Sequence, residues 1–207
     1  MSTPYETSGR TRQKQRTRNA LVAAGRDLVA SGVTPTVEQA AAAAGISRPT
    51  AYRYFPNQWA LLAAAHPETA VRSLLPSDPP ADPAARLSAV IGAFTQLIVE
   101  TEAQQRTMLR LSLQADPVAR AALPLRQGRA ISWIEEALSP LRDRLSDQAI
   151  HQLALAIRSA VGIEALAWLT DIAKLSRDEA VGLMSWSAQA LLDAARTGTP
   201  PPTTGCH

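Results

Sequence analysis

Residues 36–62 read TVEQAAAAAGISRPTAYRYFPNQWALL, and the punctuation of this stretch decides the fold. The Thr36 hydroxyl is placed to cap a short helix, Val37 to Ala44, which Gly45 ends. Ser47 is placed to cap the next helix, with Pro49 in its first turn, where a missing N–H costs nothing. Pro56 closes that helix, and Asn57 opens another that is expected to run to Leu75. Upstream, Lys14 to Ser31 carries Ala20, Leu21, Ala24 and Leu28 on one stripe, with Gly32 beyond it as a left-handed cap. Three helices with tight connections, two of them joined by a glycine-containing turn, form a helix-turn-helix arrangement.

The rest of the chain has the same helical periodicity and no sustained β-branched alternation, so the expected fold class is all-α. Four prolines in PSDPPADPAA, residues 76–85, mark a loop or boundary. Beyond it, helices are expected near Ala84–Ala103, Gln105–Gln114, Leu125–Leu145, Asp147–Lys174 and Arg177–Arg196. Ser146 and Ser176 are placed as caps, and Glu179 completes a capping box with Ser176. The longest uncharged run, Tyr54 to Pro67, is 14 residues and holds two prolines, so no membrane span is expected. No secretion signal is read at the N-terminus, and the single cysteine, Cys206, forms no internal disulfide or metal cluster. A cytoplasmic protein is expected, with a loose tail at 197–207.

The chain has 207 residues and a formal net charge of +3, unevenly spread. Residues 1–60 hold 8 Lys and Arg against 3 acids, and the remaining 147 hold 13 against 15. A basic first quarter on a mildly acidic body points to a polyanion partner for the first part only. The same charges could equally solvate a surface, so charge alone leaves nucleic-acid binding open.

The segment SRPTAYRYF, residues 47–55, holds three of the five Tyr and Phe residues of the chain. Arg48, Thr50, Tyr52, Arg53 and Tyr54 lie within two turns. Arg takes guanine O6 and N7 bidentately, a Thr methyl touches a thymine methyl, and Tyr hydroxyls reach phosphates. Ala51 and Phe55, four apart, are expected to face inward. The plain alternative is an amphipathic helix whose polar face meets only water.

Taken with its surroundings, the span from Arg16 to Leu62, 47 contiguous positions, resembles the N-terminal domain of the tetracycline-repressor (TetR) family of bacterial transcriptional regulators. The matching parts are the Ala-rich helix ending in Gly, the Thr36-led helix, Ala-Gly-Ile-Ser at 44–47, Thr50-Ala-Tyr-Arg-Tyr-Phe, and Asn57 with Leu61 and Leu62. The resemblance implies a DNA-binding domain at 14–56 behind a flexible basic arm at 1–13, and a ligand-binding and dimerisation body at 57–196. It implies a homodimer on a palindromic double-stranded operator, with recognition helices one DNA turn, about 34–36 Å, apart. By position, Arg16, Thr36, Ser47, Arg48, Pro49, Thr50, Tyr52, Arg53, Tyr54 and Gln58 would line the DNA. Of these, Arg48 and Arg53 are expected to read bases, and Thr36, Tyr52 and Tyr54 to anchor phosphates. The chain departs from the family at Gln58, where a Lys is usual, and at Glu38, where a basic residue is common.

In the body, the resemblance implies dimerisation through the last two long helices, with Leu153, Ile157, Val161, Leu183, Met184, Ser187 and Leu191 at the interface; the alternative for these stripes is an intramolecular core. A small apolar or amphipathic ligand is expected against Phe94, Leu97, Ile98, Met108, Leu109, Ser112, Trp133 and Trp168, with Gln96, Glu100, Arg126 and Glu164 as polar contacts. No Walker loop, dinucleotide fingerprint or HExxH occurs, and His66, His151 and His207 stand far apart. No catalytic residue, metal or cofactor is therefore expected. The competing readings are a DNA-binding protein of the same fold without a ligand, and an enzyme whose site leaves no motif.

Overall fold

The computed structural model describes residues 4–65, 71–114 and 129–198, and among them every regular element is helical. The chain divides into two compact units, one of residues 1–70 with 110–126, the other of 71–109 with 127–207. The boundary thus falls after the fourth helix, not before it at residue 57.

In the first unit, α1 spans Pro4–Ala30. Residues 4–13, expected as a flexible arm, instead extend this helix. Their composition does not announce it, since Thr7, Ser8, Gly9 and Thr11 are weak helix formers. Residues 11–20 are almost wholly exposed, and from there burial starts at Leu21. The helix ends as expected, with Gly32 at φ 82° and Val33 N–H donating to the Leu28 carbonyl. That is a Schellman motif, and Gly45 at φ 65° repeats it after α2, Val37–Ala43, with Ile46 N–H donating to Ala41.

Thr36 caps α2 through a capping box with Gln39. α3 covers Arg48–Tyr54, with Pro49 in its first turn. α4, Gln58–Ala65, starts where Asn57 Oδ1 accepts from Ala60 N–H. It is described as far as Ala65, and residues 71–82 are not helical, so it does not reach the expected Leu75. Pro67 in the sequence has no N–H for the Ala63 carbonyl. Leu21, Val37, Ala40, Ala41, Ala51, Phe55, Leu61 and Ala65 form the core of this unit. The Arg26 Nε–H donates to the Ala65 carbonyl at 2.6 Å, satisfying the end of α4.

The second unit is built on α5 (Pro83–Glu100), α7 (Arg129–Leu138), α8 (Asp147–Ala160) and α10 (Arg177–Arg196), with α9 (Ile163–Ala167) following α8; α6 (Glu102–Gln114) follows α5 after Thr101, and its residues from Arg110 on are counted with the first unit. Asp82, Ser146 and Ser176 cap α5, α8 and α10, and Glu179 completes the box at Ser176. Leu87, Ile91, Phe94 and Ile98 give α5 its inner stripe. Trp133, Ile134 and Leu138, then Ile150, Leu153 and Ile157, then Met184, Ala188 and Leu192 complete the core. Each large apolar side chain fully buried here stabilises by roughly 1.5–3 kcal/mol.

Two helices expected to be continuous are broken. α7 gives way at Leu138 to a 3-10 turn, Ser139–Asp143, because Pro140 has no N–H for the Glu136 carbonyl. Arg86 of α5 takes over that role, its guanidinium donating to the carbonyls of Glu136 (2.9 Å) and Ala137 (3.1 Å). The expected start of this helix, at Leu125, lies outside the described residues. The expected helix 147–174 breaks at Val161 and Gly162, where Arg158 reaches back to the Val161 carbonyl at 3.0 Å and to Glu164. It resumes as α9 and a π turn, Trp168–Ile172. The segment Asp147–Ile172 is long and apolar enough, by length and composition, to cross a membrane. Its stripe of Ile150, Leu153, Ala154 and Ile157 is buried in the core of the unit.

The π turn is held by ions. Glu102 accepts from Arg106 (2.7 Å) and Arg177 (2.6 Å), and Arg106 also grips both carboxylate oxygens of Asp171. Burial pushes the Glu102 carboxyl up, but the hydrogen bonds from Arg177 and Arg106 outweigh it and hold the group below its ordinary value of 4.5. The Arg106 bond, with that of Thr170, likewise lowers Asp171 from 3.8. A carboxyl depressed on folding adds stability above its unfolded pKa and loses it as pH falls through the folded value. Urea midpoints are therefore expected to be level from neutrality to about pH 5 and to fall below it. Glu102→Gln should lower the midpoint at pH 7 and flatten the acid limb; an unchanged limb would remove these carboxylates as its cause.

Candidate nucleic-acid interface

α3 is seven residues long and has one buried side chain, Ala51. Ala51 and Phe55 lie at 0% and 2% exposure, as their spacing predicts, and fix the rotation of the helix. That rotation presents Arg48, Pro49, Tyr52 and Arg53 to solvent as a continuous face, with Thr50 and Tyr54 half-buried at its edges. Tyr54 packs against the core of the unit. Arg48 and Arg53 make no hydrogen bond or ion pair among the described residues, so their five-donor forks are available.

Ser47 occupies the cap position of α3, but its hydroxyl donates to Thr50 Oγ1 at 2.9 Å rather than capping a backbone N–H. Thr36 is engaged in the α2 capping box. Gln58 sits half-buried in the first turn of α4. Sequence reasoning missed the link between the two helices, in which the Tyr52 hydroxyl donates to the Glu38 carboxylate. That bond, with those from the Glu38 backbone and Thr36 and the nearby Arg48, holds the Glu38 carboxyl below its ordinary range, and the carboxylate raises Tyr52 in turn. Glu38 on α2 thus positions a side chain of α3.

The basic side chains of α1 divide. Arg18 lies over the Phe55 ring, its Cζ 5.5 Å from the centroid. Lys14 is one turn away on the same side, whereas Arg12 and Arg16, two residues out of phase, stand about 200° around the helix. Arg16 therefore does not share the face of Arg18.

No family model matches this sequence, and no curated protein matches it.

In the second unit, Phe94 and Trp133 meet edge to face at 6.0 Å and, with Ile98, are core residues. Met108 is buried, and Leu97 and Leu109 are half-buried; Ser112, also buried, is counted with the first unit. Trp168 is a correction: it stands 59% exposed on the π turn and lines no enclosed wall. Gln96 pairs with Glu100 and Glu164 with Arg158, while Arg126 lies outside the described residues. A shallow pocket of about 170 Å³ lies elsewhere, between Leu141, Arg144, Leu145, Ala195, Arg196 and Gly198.

The expected dimer residues also divide. Leu153, Ile157, Val161 and Met184 are at most 1% exposed and belong to the core of their own unit, which corrects their assignment to an interface. Leu183 is exposed, and Ser187 and Leu191 are half-buried. Sequence reasoning missed Leu155 on α8 and Trp186 on α10, 37% and 67% exposed. A helical pattern identifies a buried stripe, and these two lie outside it.

Proposed function

We propose that this chain is a DNA-binding transcriptional regulator of the TetR kind, in which α2 and α3 form a helix-turn-helix and α3 enters the major groove. The observation that carries the reading is the α3 face of Arg48, Pro49, Tyr52 and Arg53, fixed outward by the buried Ala51 and Phe55. Two unpaired guanidiniums five residues apart on a short helix suit bidentate reading of guanines. Thr36, Ser47, Thr50 and Tyr54 flank them as phosphate partners. Tyr52 acts through its bond to Glu38, and Lys14 and Arg18 add backbone charge beside α3.

The protein acts as a homodimer in the cytoplasm, with its two α3 helices one DNA turn apart on a palindromic operator. The exposed Leu155, Leu183 and Trp186 of α8 and α10 supply the apolar surface for pairing. A small apolar or amphipathic molecule bound by the second unit releases the operator by favouring one spacing of the reading heads, and repression is the usual outcome in that family. Selection of bound duplexes from genomic fragments tests the reading. Enrichment of an inverted repeat with half-sites one turn apart is expected, and enrichment of no motif would overturn it.

Glu38→Gln removes an anion from the DNA-facing surface while leaving an acceptor for Tyr52. Binding to any duplex should strengthen a few-fold, with the sequence preference unchanged. A changed preference would place Glu38 among the base-reading residues instead, as an acceptor for cytosine N4.

A further inference from the structure

Three polar side chains are buried among the described residues: Thr95, Gln104 and Ser112. The Thr95 hydroxyl donates to the Ile91 carbonyl at 2.8 Å, and Ser112 is also engaged. Gln104, in the first turn of α6, is 8% exposed, and its side-chain nitrogen is sealed from water with no hydrogen-bond partner. That nitrogen is the one such orphan among the described residues. An unmet buried donor costs stability, so its presence calls for an explanation.

α6 has two differently used sides. Glu102 and Arg106, four apart, lie in the ion network of the π turn. Gln104 and Met108, also four apart, lie on the side about 200° away and are both buried. Met108 belongs to neither core cluster. A methionine is unbranched and repacks readily around an incoming group, while the amide beside it offers two unspent N–H donors. A structural glutamine would satisfy its amide, and a core position would hold an apolar side chain. An unpaired amide beside an adaptable thioether fits neither role.

We propose that Gln104 is the polar anchor of a small-molecule site on this side of α6. The inference rests on the reading of the protein as a ligand-responsive regulator. The ligand class it selects is a neutral, mainly apolar molecule bearing an acceptor oxygen, such as a ketone, ester or lactone carbonyl. The carbonyl accepts from Nε2–H and its hydrocarbon part packs on Met108. A carboxylate is disfavoured, because a neutral amide does not recover the desolvation of a buried charge.

The test uses the full chain without DNA, so it stands apart from the operator selection. If that selection fails while this test succeeds, the regulator reading falls and the site remains. Melting is followed with acetophenone and with its near-isostere ethylbenzene at equal concentration. Acetophenone should raise the melting temperature of the wild type by at least about 1 °C more than ethylbenzene does. Gln104→Met should abolish that difference, and without ligand it should melt about 2–6 °C above the wild type, because the unmet donor is gone. Equal responses to the two probes, no response to either, or a difference that survives in Gln104→Met would each overturn the proposal. A water serving the amide would give the first of these. Should the variant fail to fold, the Gln104 side-chain amide protons of the wild type, followed by NMR, decide: they should move downfield with acetophenone and not with ethylbenzene, and equal shifts would overturn the assignment.

Discussion

Phe55→Ala is expected to cost about 3–5 kcal/mol of stability, the largest loss expected from any single change in the first unit. Phe55 is 2% exposed, follows the last turn of α3, and packs with Leu21, Ala51 and Leu61 in a core otherwise rich in alanine. Apart from Leu21 and Leu61, much of the surrounding core is alanine, whose side chains cannot reach into the space the ring would leave. The Arg18 guanidinium also loses the ring over which it sits. Domains of this size have a total stability of roughly 5–15 kcal/mol, so the loss takes much or all of it. Hydrogen exchange should show protection lost from α2, α3 and α4, and urea unfolding an earlier midpoint. Phe55→Leu should cost far less, since most of the volume stays. A shift below about 1 kcal/mol with protection retained would mean that Phe55 is not what holds α3 in its rotation.

What the sequence made legible in this unit is what local chemistry dictates. Thr36 with Gln39, Gly32 and Gly45 act within four residues of chain, and the structure places each where its side chain or its lack of one requires. The inward turn of Ala51 and Phe55 follows from a spacing of four. The Arg177–Glu102 and Arg106–Asp171 pairs and the Tyr52–Glu38 bond join residues 75, 65 and 14 apart, and no periodicity encodes such a meeting. The stripe containing Leu153, Ile157 and Met184 was legible as buried. Periodicity does not say whether the chain or a second copy of it does the burying, and here the chain does. The break at Val161 and Gly162 was hidden because apolar residues on both sides keep the helical pattern, while the capping group, Arg158, resembles any surface arginine. The extent of α1 was missed because residues 4–13 carry neither an apolar stripe nor a run of strong helix formers. Gln104 left no mark either, since a helical glutamine is usually at the surface.

The double change Arg48→Ala with Arg53→Ala should reduce affinity for the selected operator by roughly 30- to 20,000-fold, from ~1–3 kcal/mol lost at each bidentate contact. Both side chains are exposed and make no hydrogen bond or ion pair among the described residues, so the helical fold should be untouched and the loss should belong to recognition. A scrambled duplex of equal length, bound through phosphates alone, should lose far less affinity. The two affinities should therefore converge toward the non-specific value, and the salt dependence of operator binding should flatten only slightly, because base contacts displace few counterions. The pair Arg48→Lys with Arg53→Lys separates charge from geometry: a lysine keeps the cation but has no planar fork to span guanine O6 and N7. That variant should hold the scrambled duplex as the wild type does and still lose most of its preference for the operator. Anisotropy titrations of both duplexes with all three proteins measure this. If alanine weakens the two duplexes equally and lysine restores both, the arginines bind phosphates, and the reading of bases passes to Pro49, Thr50 and Tyr52 on the same helix.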